Sequence, residues 1–223
     1  MAAADPAPSR ARRPPRPAPA RGALSAEAVV VAARELVAEE GLDAVSMRTL
    51  AARLRCTPRA LYRHVDGKDA VLELLADALL ADVPEARRDV PWPEALVGFF
   101  VAMREHLVAE PALTRIVAER TVSGPHFRRH ADRLTAILLD AGLDEGTAVE
   151  AVVALAYYTL GASLPGTGRA LQERYRVGWD AGVDEELPAW SRVAERFAGE
   201  APDARFRAAL VRMVDAYRPA RGA

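Results

Sequence analysis

From Leu24 onward, the apolar residues of the sequence recur at helical spacing, and this periodicity restricts the possible folds more than any other feature. They fall at positions i, i+3, i+4 and i+7 in one segment after another, and no segment shows sustained alternation of apolar and polar residues. Two of these stripes are Val29, Ala32, Ala33, Leu36 and Val37, and Val149, Val152, Val153, Ala156, Tyr157 and Leu160. The sequence therefore predicts an all-α protein of about nine or ten helices separated by glycine and proline.

Composition narrows the classes of function. Hydrophobic residues make up 51% and charged residues 27%, which is typical of a soluble globular protein. The single cysteine, Cys56, excludes an intrachain disulfide and a cysteine-rich metal site. No apolar run approaches the ~18 residues that span a bilayer, and no signal-peptide pattern opens the sequence. We therefore expect a cytoplasmic protein with no metal, no cofactor and no membrane contact.

The charges are distributed unevenly, although the net charge is only -1. Residues 46–68 carry five arginines and Lys68 against one acidic residue, Asp66. Residues 1–22 carry five arginines against one aspartate, with several prolines and no aromatic residue, which predicts a disordered basic arm. The arm is either a solvated tail or an additional contact with DNA phosphates or a minor groove. The net charge of -1 is thus the sum of two basic segments, 1–22 and 46–68, and an acidic remainder.

Residues 46–68 contain the signals of two short helices joined by a tight turn. Ser46 is a suitable N-cap for a helix that extends through Leu54. Thr57 and Pro58 begin a second helix, which is predicted to extend through Val65. Two short helices with so brief a connection indicate a helix-turn-helix.

The second helix is predicted to have a basic outer face. At about 100° per residue, Leu61 and Val65 point inward. The residues that project outward are Arg59, Ala60, Tyr62 and Arg63. Such residues suit the major groove, where arginine reads guanine, alanine contacts the thymine methyl group and tyrosine reaches a phosphate. The alternative is a solvated helix face.

Lys68 is predicted to begin the next helix, with Asp66 as its cap. A cation at that position opposes the helix dipole by about 0.3–1 kcal/mol. A phosphate bound by the lysine and by the free N–H groups would remove the conflict. The alternative is an exposed lysine that tolerates a small cost.

Three runs of residues, Val45–Leu54, Thr57–Val65 and Lys68–Leu72, closely resemble the DNA-binding domain of the TetR family of bacterial repressors. The resemblance covers about residues 24–80. A weaker one, from Asp140 to Gly161, is with the C-terminal domain of the tetracycline-repressor-like members.

The resemblance implies an all-α homodimer that regulates transcription. The alternative of a helical-bundle enzyme with an appended head has little support, because the sequence contains no nucleophile–base motif, no phosphate-binding loop and no H-E-x-x-H, so we expect no enzyme activity. The resemblance divides the chain into the arm at 1–22, a three-helix helix-turn-helix domain at 23–83 that includes the start of the linking helix, and a helical-bundle effector and dimerisation domain at 84–223. The implied function is that of a repressor that binds double-stranded palindromic operator DNA and is released by an unknown small-molecule effector. A DNA-binding regulator without an effector is the alternative.

The resemblance also assigns roles to individual residues. The implied DNA-binding positions are Ser46, Arg48, Thr57, Arg59, Ala60, Tyr62, Arg63, His64 and Lys68. The three arginines and the alanine fall on base-reading positions, and the other five fall on phosphate-contacting ones.

Two features depart from the family pattern. The turn usually holds glycine and a small apolar residue, but here it holds Arg55 and Cys56, so either Arg55 adopts positive φ at some cost or the turn differs. Cys56 is interpreted as a buried turn residue, with a redox sensor as the alternative. The region Ala118 to Arg120 lacks the histidine through which tetracycline-binding members hold magnesium, which argues against a magnesium–tetracycline ligand.

The C-terminal region supplies two further sets of candidates. The candidates for an effector pocket are Phe99, Phe100, Met103, His106, His130, Leu134, Tyr157 and Tyr158. Plain core packing is the alternative for each of them. The candidates for a dimer interface are Val149, Val153, Leu160, Phe206, Leu210, Met213 and Tyr217. The segment from Pro165 to Pro188 is predicted to be loop-rich and could act as a lid or reach over the partner.

Overall fold

The computed structural model describes residues 24–164, 188–189, 191–193 and 201–218. The predicted arm at 1–22 and almost all of the predicted loop-rich segment lie outside these residues. Within them the chain forms helices and turns without a β-strand, which confirms the all-α prediction. The helices are α1 (Ala26–Glu40), α2 (Met47–Arg53), α3 (Pro58–Leu61), α4 (Lys68–Leu80), α5 (Trp92–Ala109), α6 (Pro111–Glu119), α7 (Pro125–Asp140), α8 (Glu145–Ser163) and α9 (Pro202–Ala216), with one 3-10 turn at Leu42–Ala44. None of these described helices is long and apolar enough to cross a membrane.

Side-chain caps begin the first three helices. The hydroxyl oxygens of Ser25, Ser46 and Thr57 accept hydrogen bonds from backbone N–H groups three residues later, at 3.2, 3.1 and 3.3 Å. Each cap satisfies a donor that the helix itself leaves open, and the positions of Ser46 and Thr57 in the sequence predict theirs. The helices α6, α7 and α9 begin instead with a proline as their first residue.

Helix α4 connects the two parts of the fold. It packs against α1 in the N-terminal head and against α6 and α7 in the body, where α5 packs against α7, α8 and α9. One continuous apolar core extends from Val29 in α1 to Val214 in α9. Because α4 contributes to both ends of this core, its position links the head to the body.

Two surface ion pairs also join the head to the body. Arg115 on α6 lies 2.9 Å from Asp43 in the 3-10 turn, and Arg120 after α6 lies 2.8 Å from Asp69 on α4. Exposed pairs of this kind contribute at most about 1 kcal/mol each. These ion pairs help to orient the head relative to the body at the edge of the core, but they supply little of the stability of the protein.

Helix α8 turns its predicted apolar stripe outward. The side chains that face the core are Ala148, Ala151, Leu155, Thr159 and Ser163. Val149, Val153 and Tyr157 lie on the opposite side and are 56%, 41% and 73% exposed. The exposed stripe includes Val149 and Val153, which are predicted dimer-interface residues, while the small residues Ala148 and Ala151 on the other side of α8 face the core formed with α5 and α7.

Candidate functional site

The helix-turn-helix forms as predicted, but its second helix is shorter than expected. Regular helix ends at Leu61, and the chain continues in tight turns to Val65, whose N–H donates to the Leu61 carbonyl at 3.1 Å. Leu61 and Val65 are buried, whereas Arg59, Tyr62 and most of their neighbours are exposed. The turns thus preserve the predicted inner and outer faces beyond the end of the helix.

The nine predicted DNA-binding residues all lie between the start of α2 and the start of α4. Seven of them have exposed side chains, and Ser46 and Ala60 are half-buried. The hydroxyl oxygens of Ser46 and Thr57 accept the capping hydrogen bonds of α2 and α3. The Thr57 O–H remains available to another acceptor, whereas the Ser46 hydroxyl lies 2.9 Å from the Thr49 hydroxyl, which itself donates to the Ala44 carbonyl.

The basic side chains of the head divide into paired and unpaired groups. Arg34 lies 2.8 Å from Asp82, and Arg53 pairs with Glu35 at 3.1 Å and also with Glu39. Those without a carboxylate partner among the described residues are Arg48, Arg55, Arg59, Arg63 and Lys68. The two paired arginines contact acidic residues on α1 and after α4, so the unpaired positive charge is concentrated around the helix-turn-helix.

The start of α4 differs from the prediction in one respect. Gly67, with φ of 105°, occupies the N-cap position, and no side chain caps the helix, so the prediction that Asp66 caps it is wrong. The chain reverses at this point through a conformation that glycine adopts readily. Lys68 is the first residue of α4 and is exposed beside backbone N–H groups that no described side chain caps.

The turn between α2 and α3 places a strained arginine on the surface. Arg55 has φ of 52°, which is the first of the two outcomes expected for this departure from the family pattern. Cys56 donates its N–H to the Ala51 carbonyl at 2.9 Å and is half-buried against the core. It is thus less enclosed than the interpretation of a buried turn residue implied.

We expect Arg55→Gly to stabilise the protein. A left-handed conformation costs a non-glycine residue about 1–2 kcal/mol, and glycine recovers part of this after its larger loss of chain entropy. The net gain of roughly 0.5–1 kcal/mol corresponds to a rise of about 1–4 °C in the thermal midpoint. Thermal unfolding of Arg55→Ala, which removes the charge but retains the strain, is the control. Equal midpoints for the two variants would contradict the account.

Most of the pocket candidates lie together between α5 and α7. The Phe99 ring lies 5.2 Å from the rings of both Phe100 and His130 between centroids, and all three side chains are buried. Leu134 is buried one turn after His130, and Met103 is half-buried one turn after Phe99. The cluster is therefore an aromatic centre of the body.

The two tyrosines among the pocket candidates differ in position. Tyr157 is 73% exposed on the outer side of α8, so it does not belong to the aromatic centre. Tyr158 stacks on Phe206 at 5.1 Å, and the Arg104 guanidinium lies 4.9 Å from the Phe206 ring and pairs with Asp203 at 2.6 Å. Burial raises the pKa of the Tyr158 phenol, and the positive charge of Arg104 partly opposes that rise.

Two of the proposed dimer residues are enclosed within their own chain. Phe206 and Leu210 are 4% and 0% exposed, because α9 turns them toward α5 and α8. The expectation that these two contact a partner is therefore wrong. Met213, Tyr217 and Leu160 are half-buried, and Val149 and Val153 are exposed.

An open cleft of about 230 Å³ adjoins the aromatic centre. Phe99 and Gly98 of α5 line one side, Pro84 and Val90 line another, and Arg207 of α9 completes it. Of the predicted pocket residues, Phe99 is the one that lines this cleft. Among the described residues, no group of three or more histidine, cysteine or acidic side chains is arranged to hold a metal ion.

A buried carboxylate on α4 was not predicted from the sequence. Asp77 on α4 is 4% exposed and accepts hydrogen bonds from the N–H groups of His126 and Phe127, at 3.2 and 2.9 Å, in the first turn of α7. Gly124 lies so close that a Cβ there would come within 2.1 Å of the Asp77 Cγ. The available signal was that α7 begins at Gly124-Pro125 without a capping side chain of its own.

Comparison with known proteins identifies the family. Residues 29–75 match the family model described as bacterial regulatory proteins, tetR family, and residues 83–216 match the tetracyclin repressor-like C-terminal domain. The chain belongs to the tetR family of bacterial regulatory proteins. The resemblance inferred from the helix-turn-helix motifs is thereby confirmed.

Relatives within the tetR family are regulators of transcription. The tetracycline repressor protein class A from transposon 1721 of Escherichia coli is 32% identical over 200 residues, which is 86% of this chain and 89% of the relative. An HTH-type transcriptional regulator of Saccharopolyspora erythraea is 30% identical over 151 residues, which is 67% of this chain and 64% of the relative. These relatives confirm that the chain is a transcriptional regulator and not an enzyme.

Solved structures of tetR family proteins share the fold. ActR of Streptomyces coelicolor in complex with actinorhodin has a TM-score of 0.76 at 26% identity, covering 88% of this chain and 97% of ActR. A TetR variant from Acinetobacter baumannii AYE in complex with minocycline has a TM-score of 0.64 at 27% identity, covering 87% of this chain and 97% of that one.

Proposed function

We propose that the protein is a ligand-responsive repressor that binds a palindromic operator as a homodimer and is released by a small-molecule effector. The observation that carries the proposal is the concentration of unpaired positive charge around the helix-turn-helix. Folded proteins commonly pair surface arginines with nearby carboxylates, and this head does so for Arg34 and Arg53. The five cations of the head that have no carboxylate partner in the described part of the chain suit the phosphates and base edges of DNA.

The nine DNA-binding positions retain their proposed roles. Arg48, Arg59 and Arg63 are exposed and can reach guanine O6 and N7, and Ala60 between them leaves room for a thymine methyl group. The side chains proposed to contact phosphates are Ser46, Thr57, Tyr62, His64 and Lys68. At the uncapped start of α4, a phosphate oxygen would satisfy both Lys68 and the free N–H groups.

Selection of bound sites from random double-stranded DNA tests the proposal. We expect a palindrome whose half-site centres are separated by about one helical turn, 34–36 Å, because two heads of a symmetric dimer meet successive major grooves. The affinity should fall steeply with salt concentration, since phosphate contacts release counterions. Recovery of no common sequence, or of a single unrepeated half-site, would contradict the proposal.

The effector region is proposed to lie at the aromatic centre and the adjoining cleft. ActR holds actinorhodin and the Acinetobacter baumannii protein holds minocycline in their solved structures. In this chain Phe99 belongs to both the aromatic centre and the cleft, so it joins a buried apolar surface to an opening. Effector binding would shift the body between two packings, and α4 would transmit the change to the head.

The homodimer is proposed to form through the outer side of α8. Val149, Val153 and Tyr157 form an exposed apolar row there, one helical turn apart, with Leu164 at its end. A self-complementary apolar face is what a two-fold interface requires. Half-buried Leu160, Met213 and Tyr217 remain candidates for its margin, whereas Phe206 and Leu210 support it from within the chain.

We expect Val153→Asp to separate the dimer into monomers. A charge buried at the centre of an apolar interface without a partner costs about 3–5 kcal/mol, so the dissociation constant should rise by roughly 100-fold or more. Sedimentation equilibrium would measure it. Leu139→Asp on α7 is the matched control, because Leu139 is also 41% exposed but lies outside this row. Equal effects of the two variants would show that α8 is not the interface.

The second candidate function is a DNA-binding regulator that needs no effector. The contacts among Phe99, Phe100 and His130, all buried, are what a closed core would show. In that case the operator complex would respond to no small molecule, and the dimer and operator predictions would be unchanged.

A further inference from the structure

Two histidines of the body donate hydrogen bonds to the last turn of α4. His106 on α5 places its Nε2 2.9 Å from the Leu79 carbonyl, and His130 on α7 places its Nε2 3.0 Å from the Leu80 carbonyl. A carbonyl oxygen can only accept, so each Nε2 must carry a proton. In the neutral ring the second nitrogen, Nδ1, is then a hydrogen-bond acceptor.

The two rings differ in the surroundings of Nδ1. His130 is 7% exposed, and its Nδ1 is fully buried without a hydrogen-bond partner. His106 is half-buried and has no such orphaned nitrogen. The hydrogen bond to α4 requires only the Nε2–H group, which both histidines have. A buried acceptor without a donor costs free energy, so the burial of the His130 Nδ1 requires a separate explanation.

The orphaned nitrogen belongs to a ring that contacts both the effector region and α4. The His130 ring lies 5.2 Å from the Phe99 ring between centroids, and Phe99 lines the open cleft. The same imidazole donates through Nε2 to the Leu80 carbonyl at the end of α4. Helix α4 begins at Lys68 in the DNA-binding head. His130 thus lies between the proposed effector region and the helix that connects it to the head.

We propose that Nδ1 of His130 accepts a hydrogen bond from a hydroxyl group of an aromatic effector. The flat ring of such an effector would pack on Phe99, and its hydroxyl would supply the donor that Nδ1 lacks. An effector with only an acceptor at this place is disfavoured, because two lone pairs would face each other. The inference rests on the proposed function, since it names the chemistry of that same effector region.

The hydrogen bond from the effector would also affect the DNA-binding head, because the His130 imidazole that accepts it also contacts α4. A donor that draws the imidazole toward the effector would change the geometry of the Nε2–H bond to Leu80, and α4 is one continuous helix from Lys68 to Leu80. His130 is in this sense a positioning residue for α4 as well as a contact of the effector.

Nuclear magnetic resonance of the full-length protein with ¹⁵N-labelled histidine tests the chemistry directly. The probes are 1-naphthol, which has a hydroxyl donor, and 1-fluoronaphthalene, which has the same rings and no donor. We expect the free protein to show the Nε2–H tautomer with a non-bonded Nδ1 at His130. Addition of 1-naphthol should shift that Nδ1 resonance toward the hydrogen-bonded value, and 1-fluoronaphthalene should not. His106 provides the internal comparison.

Binding affinities of the same two probes give a second measurement. One hydrogen bond to a buried acceptor should make 1-naphthol bind about tenfold more tightly than 1-fluoronaphthalene. His130→Gln keeps an amide N–H in place of Nε2 to donate to Leu80, but it lacks Nδ1, so the preference should fall to less than about twofold. His106→Gln makes the matching change beside Leu79 and should retain the tenfold preference.

Several results would overturn the inference. These are a protonated or already bonded Nδ1 in the free protein, no response of Nδ1 to 1-naphthol, and a preference for 1-naphthol that survives in His130→Gln. Failure of the proposed function has a different signature, because it would appear as the absence of a palindrome in the random-DNA selection. The Nδ1 measurement does not depend on DNA, so the two failures are distinguishable.

Discussion

We expect Arg59→Ala to lower the affinity of the proposed homodimer for its selected operator by about 2–6 kcal/mol, which is roughly 30-fold or more. A bidentate arginine–guanine contact contributes about 1–3 kcal/mol, and a two-fold dimer loses it in both half-sites. Arg59 is exposed on α3 and has no carboxylate partner among the described residues, so its removal disturbs no ion pair of the head. Fluorescence anisotropy at fixed salt concentration would measure the loss. Arg48→Ala should behave similarly from α2.

The sequence preference of each variant distinguishes residues that contact bases from residues that contact only phosphates. Arg59→Ala should relax the preference for the base pair that it reads, whereas Lys68→Ala should weaken all sequences nearly equally and reduce the salt slope by about one. Arg212→Ala, which removes an exposed arginine from α9 in the body, is the control and should leave operator binding unchanged. If Arg59→Ala binds as tightly as this control, the assignment of α3 to base recognition is wrong.

Asp77→Ala destabilises the protein by about 2–4 kcal/mol. The substitution removes a buried carboxylate that accepts hydrogen bonds from two N–H groups of α7, and charged hydrogen bonds of this kind contribute about 1.5–3 kcal/mol each before compensation. The thermal midpoint should fall by roughly 4–16 °C for a chain of this length. Glu73→Ala is the matched control, because Glu73 is an exposed acid on the same helix, and its effect should stay within about 0.5 kcal/mol.

A double-mutant cycle with Gly124 isolates the contact. Gly124→Ala alone should be strongly destabilising, because the new Cβ would lie 2.1 Å from the Asp77 Cγ in a buried site. In the Asp77→Ala background the obstructing carboxylate is absent, so the same change should cost at least about 1 kcal/mol less. Additive effects of the two substitutions would show that Asp77 and Gly124 do not act on each other in the folded protein.

The head could be predicted from sequence almost residue by residue. Its caps are local, since Ser46 and Thr57 each satisfy an N–H only three residues away, and its inner and outer faces follow from helical spacing. The errors there were also local. Gly67 rather than Asp66 caps α4, and regular helix ends at Leu61, because backbone conformation in a tight turn depends on φ values that spacing does not reveal.

The body was less predictable, because its helices have apolar residues on more than one side. In α8 the stripe that contains Val153 and Tyr157 is more strongly apolar than the side that faces the core, yet the core selects Ala151 and Leu155. The aromatic residues of α9 gave no indication of whether they contact a partner or their own chain, and Phe206 packs against Tyr158. Asp77 was missed because its two donors lie about 50 residues away.

The sequence by itself determined the helical class and the helix-turn-helix, because these depend on interactions that span only a few residues. The roles proposed for the DNA-contacting residues came from the resemblance to the family. Only the tertiary structure decided which arginines lack a carboxylate partner among the described residues and which side of α8 is exposed. It also decided that Asp77 of α4 accepts from the first turn of α7 and that His106 and His130 donate to the last turn of α4. Those features arise where helices distant in sequence meet. The physical reason is that a side chain's partners across a packed core are set by the arrangement of all the helices, which spacing along one helix does not contain.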